Sequence, residues 1–541
     1  MEYDNGGELL VAHLESLGID TVFGIVSVHN LPLVEAVDRH LRFVPVRHEA
    51  TAVNAADGYG RARGSIGCAL TSTGTGAGNA AGSLIEALSA GTAVLHITGQ
   101  VESQYLGSGR GFIHETKDQL GMLSAVSTYA ATVTSARDAG RVLREASAAA
   151  LATPGGPASV EWPIDLQYAA QKDAGGAVPS GEAPSPDAAE LAAAQALLAE
   201  SRRPLIWAGG GARHARAELA ALLEATGAGL IGSNSGRGSV PEDHPLVIGN
   251  FATNPAARAL LADADVLVTI GTHFRSNETA DYNLKLPDAH IQIDADAAAL
   301  GRVYPARHAL HAEAAAVLPA LTGAAVRADA DWSARVSAVR DEVRAALHDD
   351  IGPQAALCDV LAAALPRGAV VARDVTIPSS SWGNRLLPIH DPRANVFPRG
   401  GGIGQGLGMG IGAALARPDE PTVVIAGDGG LAVHFGELLT VAQERPRLTL
   451  IVFNDGGYGV LRNMQDKYAE RRSGVDLFTP DFGPLAAACA LPYARIAAPE
   501  EAAPVLEAAL ASDGPTLVEV DLAALGPMKN PFTPPVKIPT A

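Results

Sequence analysis

Short apolar runs rich in β-branched residues alternate along this chain with longer segments whose apolar positions recur every three to four residues. The short runs, bounded by glycine or polar turns, read as buried strands, and the longer periodic segments read as helices. Strand, turn and helix in repeated alternation predict an α/β chain of open parallel sheets, because a parallel connection has to cross back over the sheet face. The pattern falls into three blocks. The first, 1–170, carries strands at Thr21–Gly24, Phe43–Arg47, Gly67–Leu70 and Ala93–Thr98. A linker rich in Gly, Pro, Ala and Ser follows at Gln171–Pro186. The second block, 187–325, opens on the helical run Asp187–Glu200 and carries strands at Pro204–Ala208, Asp265–Ile270 and His290–Ile293. After a seam around Gly323–Asp331, the third block, 350–541, carries strands at Ala369–Ala372, Thr422–Ala426, Leu448–Phe453 and Thr516–Val520, then a proline-rich tail, Pro531–Pro539. Sheets built this way bind ligands beyond the C-terminal ends of their strands.

Composition narrows the picture. The 541 residues are 47% hydrophobic and 18% charged, enough for several domains with buried cores. The formal charge of −19 argues against a nucleic-acid binder or an anionic membrane surface, both of which call for basic faces. Three widely spaced cysteines, Cys68, Cys358 and Cys489, make no disulfide framework or zinc knuckle, and a reduced cytoplasmic setting is expected. The acidic start Met1–Asn5 is unlike a signal peptide, and no apolar stretch is long enough for a membrane span.

The sharpest chemical signal lies in the third block. The strand at Thr422 ends in Gly427-Asp428-Gly429-Gly430; a helical pattern follows, with Leu431, Phe435, Leu438, Leu439 and Ala442 on one face; the next strand ends in Asn454-Asp455-Gly456-Gly457-Tyr458. A strand–helix–strand crossover puts both strand ends on one edge, so Asp428 and Asp455 should be neighbours. Two carboxylates there suit a hard divalent cation, and the glycines free backbone amides for phosphate oxygens. That is how an acidic chain could hold a polyanion.

Gly-Asp-Gly, about two dozen residues, then Asn-Asp-Gly-Gly resembles the motif of the thiamine diphosphate enzymes that include acetolactate synthase, benzoylformate decarboxylase and pyruvate decarboxylase. The resemblance covers nearly the whole chain. It implies a pyrimidine-binding first domain, a Rossmann-like middle domain and a diphosphate-binding third domain. It makes Asp428, Asp455 and the Gly457 carbonyl ligands of Mg2+, with Gly427, Gly429, Gly430 and Tyr458 against the cofactor. The second ligand is often Asn in these enzymes and is Asp455 here. Arg47-His48-Glu49 resembles the family's segment in which Glu49 bonds the aminopyrimidine ring and favours the imino tautomer that takes up the thiazolium proton. Thr73 and Gly74 fall in the loop beside the pyrimidine, Asp374 and Thr376 in the other diphosphate-side loop. Ile403, about 25 residues before Asp428, takes the place of the apolar wedge beneath the bent cofactor.

The implied activity is non-oxidative decarboxylation of a 2-oxo acid, with carboligation or protonation of the resulting enamine. Phe23-Gly24-Ile25-Val26-Ser27-Val28-His29 resembles a Phe-Gly-x-Pro-Gly loop without the Pro-Gly, and Phe112-Ile113-His114-Glu115 stands where acetolactate synthases carry Phe-Gln-Glu. His29 and His114 are therefore candidates for proton handling at the substrate. Leu461 and Met464 replace the Glu of simple pyruvate decarboxylases and the Trp of acetolactate synthases, and Gly457–Arg462 is closer to the benzoylformate decarboxylase type. Gly271-Thr272-His273-Phe274-Arg275 lacks a paired Asp, so FAD is not favoured. A nicotinamide or flavin oxidoreductase, or a non-catalytic homologue, is the rival reading; the first lacks a strict G-x-G-x-x-G and the second lacks a broken site. By the same resemblance the cofactor lies between block one of one subunit and block three of another, in a homodimer or homotetramer.

Overall fold

The computed structural model describes residues 1–534 apart from 180 and 182; the last residues of the predicted tail, 535–541, lie outside the described residues. Three six-stranded sheets carry the chain, and every ladder within them is parallel. The first holds β1 (Thr21–Gly24), β2 (Arg42–Pro45), β3 (Gly67–Thr71), β4 (Val94–Gln100), β5 (Tyr129–Thr132) and β6 (Pro157–Pro163), in the order β2-β1-β3-β4-β6-β5. The middle sheet holds β7 (Pro204–Ala208), β8 (Gly229–Gly232), β9 (Val247–Gly249), β10 (Val266–Ile270), β11 (His290–Asp294) and β12 (His308–His311), in the order β9-β8-β7-β10-β11-β12. The third holds β13 (Val370–Arg373), β14 (Asn395–Val396), β15 (Thr422–Gly427), β16 (Leu448–Asn454), β17 (Tyr493–Ile496) and β18 (Thr516–Asp521), in the order β14-β13-β15-β16-β18-β17. The first and third sheets thus share one winding, and the middle sheet has the Rossmann order. Strands buried on both faces by helices read as continuous apolar runs, which is why the central ones were legible.

Several expectations need correction. The helix expected after Gly427 is broken: a turn at Asp428–Leu431, a tighter one at Ala432–His434 and a helix only at Glu437–Glu444. Leu439 accordingly points to solvent at 46% exposure instead of sharing the buried face with Leu438. The strand expected at Phe43–Arg47 ends two residues early, and the turn through Val46 and Arg47 delivers His48 to the start of the next helix. The first residue of the helix expected at Asp187 is its cap, accepting hydrogen bonds from the Ala189 and Glu190 amides.

Helix α1 (Glu49–Arg63) of the first domain crosses a helix of the third at Gly406–Ala416. Small residues let the backbones nearly touch: a Cβ on Gly58 would lie 2.0 Å from the Met409 carbonyl oxygen, and one on Gly412 would lie 1.9 Å from that of Ala55. Every residue of α1 from Ala50 to Ala62 is buried. Polar contacts frame the crossing. Arg61 pairs with the buried Asp57 at 2.6 Å and donates to the Phe397 carbonyl at 2.7 Å. The Arg47 amide donates to the buried Glu437 at 3.0 Å, and Glu86 accepts from the Gly400 and Gly402 amides at 2.6 and 2.9 Å. The first and third domains are therefore joined within one chain by packed backbone and buried charge.

Candidate active site

On the third sheet, β15 and β16 run side by side and their last matched pair is Gly427 and Phe453. Asp428 and Asp455 follow one and two residues later, so they emerge together, as the spacing predicted. Asp428 is buried, and its Oδ2 accepts the Gly457 amide at 2.8 Å. Burial raises its pKa, against the pull of the Asp455, Gly457 and Gly429 amides. Burial, and next the Asp428 charge, push Asp455 up to about 6, while Arg462 at 3.7 Å opposes the rise. Two carboxylates made costly by burial and by each other are what a divalent cation relieves.

The same edge gathers the other third-domain positions. A Cβ on Gly429 would lie 2.8 Å from the Tyr458 ring and 3.0 Å from the Gly457 carbonyl oxygen, and one on Gly427 would lie 3.0 Å from Thr376 Oγ1. Gly430 faces the Asp374 carboxylate at 3.3 Å by the same measure. Asp374 is buried and spends its carboxylate on its own loops, accepting from Val375 at 2.6 Å and from Gly404 at 2.9 Å. Burial pushes it up to about 6. Ile403 stands beside Gly404 at this edge with 40% of its surface open.

The first sheet presents the other half. Glu49 opens α1, where a carboxylate meets the positive end of the helix dipole, and His48 caps the helix by accepting from Ala50 at 3.1 Å. Glu49 Oε2 accepts from Asn79 at 3.0 Å, on helix α2 (Thr75–Ala90). Its Oε1 sits 2.9 Å from where a Gly76 Cβ would be. Thr73 and Gly74 precede α2; Gly74 needs its φ of 62°, and a Cβ there would meet the His114 carbonyl at 2.6 Å. His29 and His114 are brought together, ring centroids 5.2 Å apart. His29 is 3% exposed and neither of its ring nitrogens is hydrogen-bonded. Burial, then His114, lower its pKa, so it is neutral at pH 7. Among the described residues no hydrogen bond or ion pair within the chain links Glu49 to Asp428 or Asp455; each is bonded on its own sheet edge.

The Asp428–Asp455 edge and the Glu49 edge thus lie at the C-terminal side of two identically wound parallel sheets. Family models for thiamine pyrophosphate enzymes (thiamine diphosphate by its other name) match in order: the N-terminal TPP binding domain at residues 4–122, the central domain at 191–321 and the C-terminal TPP binding domain at 378–520. A probable 2-ketoarginine decarboxylase, AruI, of Pseudomonas aeruginosa is 32% identical over 95% of this chain and 93% of its own. The chain belongs to the thiamine pyrophosphate enzymes. The acetolactate synthase isozyme 2 large subunit of Escherichia coli is 29% identical over 96% of both chains. A probable acetolactate synthase large subunit of Methanocaldococcus jannaschii is 28% identical over 97% of this chain and 93% of its own. This protein is thus a thiamine diphosphate-dependent enzyme of the lyase or transferase kind.

The residues fit that cofactor. Gly427, Gly429 and Gly430 leave a side-chain-free cradle beside a buried carboxylate, and the oxygen-only donor set of Asp428, Asp455 and the Gly457 carbonyl suits a hard cation. Among the described residues no three His, Cys, Asp or Glu side chains gather to hold a metal alone. In the middle domain a Cβ on Gly209 would strike the Gly271 carbonyl at 2.2 Å, so loop packing alone accounts for that glycine. No helix among the described residues is long and apolar enough to cross a membrane. Sequence reasoning missed Asn79, the partner of Glu49, and a buried group around Gln119 and Glu161. Their bonds span 29 to 61 residues and follow no motif.

Proposed function

We propose that this enzyme, with thiamine diphosphate and Mg2+, removes carbon dioxide from a 2-oxo acid without oxidation and either protonates the remaining fragment to an aldehyde or joins it to a second carbonyl compound. The emergence of Asp428 and Asp455 from adjacent strand ends, with the Gly457 amide on Asp428, is the observation that carries the reading. The names of the relatives, a decarboxylase and acetolactate synthases, support the same pair of outcomes. When bound, thiamine diphosphate supplies a thiazolium carbon that adds to the carbonyl of the 2-oxo acid and accepts the electron pair released with carbon dioxide.

This chain's residues supply the rest. Asp428, Asp455 and the Gly457 carbonyl hold the metal, and the Gly429 and Gly430 amides meet the diphosphate. Asn79 occupies Glu49 Oε2, which leaves Oε1 to share a proton with the aminopyrimidine ring. His29, neutral and with both nitrogens free, can donate to a substrate oxygen, with His114 beside it to exchange the proton. With Glu49 unconnected to the metal half within a chain, the active sites belong at the interface of a homodimer or homotetramer. The test joins two measurements. Carbon dioxide release from a panel of 2-oxo acids should be magnesium-dependent, and Asp428→Ala should retain no cofactor and no activity. Wild-type affinity of that variant for thiamine diphosphate in magnesium would refute the assignment.

A further inference from the structure

Beneath the Thr73–Gly74 loop lies a closed polar group that the chemistry above does not use. Glu161, on β6, is 2% exposed, yet every hydrogen bond to its carboxylate comes from a neutral side chain. Gln119 Nε2 donates to its Oε1 at 2.8 Å, Gln100 Nε2 to the same oxygen at 2.9 Å, and Thr132 Oγ1 to its Oε2 at 2.5 Å. Burying a carboxylate with no cation is expensive, and a Gln in its place would fill the same space at lower cost. The charge therefore calls for a reason.

The reason is direction. An ionised carboxylate only accepts, whereas a backbone N–H only donates. Gln119 lies between these two: its Nε2 meets Glu161, and its Oε1 accepts the Gly74 amide at 2.7 Å and the Thr73 hydroxyl at 2.9 Å. Its amide has one orientation that satisfies both neighbours. Gln100 is trapped likewise, with Nε2 on Glu161 and Oε1 on the Val101 amide at 2.8 Å. The acceptor-only pole at Glu161 thus sets both glutamines, and Gln119 in turn makes the Thr73 hydroxyl a donor inward. What Thr73 has left for a ligand is lone pairs.

We propose that Glu161 is a positioning residue: through Gln119 it fixes the hydrogen-bond polarity and backbone path of the Thr73–Gly74 loop against the cofactor. The inference rests on the assignment of that loop to the cofactor site. In Glu161→Leu both facing amides lose their acceptor, so Gln119 is free to turn and the Gly74 N–H loses its assured partner. Leaving one buried group unpaired should weaken thiamine diphosphate binding about 10–100-fold. Glu161→Gln is the conservative control: its carbonyl can accept from Gln100 and Gln119 while its amide donates to the Thr132 hydroxyl, which accepts as well as donates, so the sense of Gln119 is kept and binding should fall much less.

The experiment titrates thiamine diphosphate into the wild-type, Glu161→Leu, Glu161→Gln and Gln119→Leu proteins by calorimetry in magnesium, alongside their thermal midpoints. Weakened binding in a folded Glu161→Leu, with Glu161→Gln within a few-fold of wild type, is the expected result. Should Glu161→Leu fail to fold, a folded Gln119→Leu, which removes the acceptor of the Gly74 amide, with weakened binding supports the proposal equally. Wild-type affinity in either folded Leu variant overturns it, as does a Glu161→Gln that falls as far as Glu161→Leu, or the failure of both Leu variants to fold. Failure of the wild-type protein to bind thiamine diphosphate would instead strike the cofactor assignment, and this inference with it.

Discussion

Glu49 shows how a single position can be prepared by its neighbours. The helix dipole, the Asn79 amide and the missing side chain at Gly76 leave one carboxylate oxygen accessible and the other held. Glu49→Gln keeps these contacts but removes the proton-sharing group. Thiamine diphosphate should still bind, while hydrogen exchange at its thiazolium carbon, followed by NMR, slows by about 10²–10⁴-fold; unchanged exchange would remove Glu49 from the chemistry. Two histidines outside the site weigh against the fold at acid pH. His13, on the Ser147 hydroxyl at 2.8 Å, and His96, between Thr71 and Ser159, are pushed down to about 4, above all by burial. Their folded values lie below the unfolded value near 6.5, so the unfolded chain takes up protons first. Stability present above about pH 6.5 is lost as pH falls toward 4, by roughly 3 kcal/mol for the fully buried His96. Thermal midpoints from pH 7 to 5 should fall steeply, and less steeply in His96→Gln. At this scale the pairing of Asp428 with Asp455 was legible because glycines and a fixed spacing surround them. Gln119 and Glu161 were not, because an isolated Gln or Glu carries no sign that it is buried among other polar groups.

Among the elements, what the sequence hid lies mostly at sheet edges. β5, β9, β12, β14 and β17 are all edge strands. Of these, β5, β12 and β17 are partly exposed and need no continuous apolar run, while the buried β9 and β14 are only three and two residues long. The inner β6 and β8 escaped because β6 starts and ends in proline and β8 is bracketed by glycines, both of which read as turns. The break after Asp428 follows the residue whose carboxylate accepts the Gly457 amide from the neighbouring strand end. The crossing of α1 on Gly406–Ala416 gives the prediction at this scale. Gly412→Ala sets a methyl 1.9 Å from a carbonyl oxygen in a packed interface, so it should cost about 1–3 kcal/mol or more. Gly323→Ala, in a helix with nothing within 4 Å of the new methyl, should instead stabilise by up to about 1 kcal/mol. Thermal midpoints moving in the same direction for both would show that the contact at Gly412 is not tight.

In the whole molecule, the first and third domains repeat one winding and carry Glu49 and the Asp428–Asp455 pair on separate sheet edges, while buried contacts hold the two domains in one chain. Completion of a site by a second copy has a direct test. Glu49→Gln chains mixed with Asp428→Ala chains should recover part of the activity, since one of the two sites of each mixed dimer collects two intact halves. If labelled subunits exchange and no activity returns, each site is internal to one chain. The crossing at the domain boundary also bears on how the protein is made. Helix α1 leaves the ribosome about 350 residues before the helix that covers it. At roughly 5–20 residues per second, that wait is on the order of 20–70 s. All that time a notched, uncharged helix face is open to every other nascent chain nearby. Until translation reaches the third domain, the first is without the helix that covers it in the finished fold.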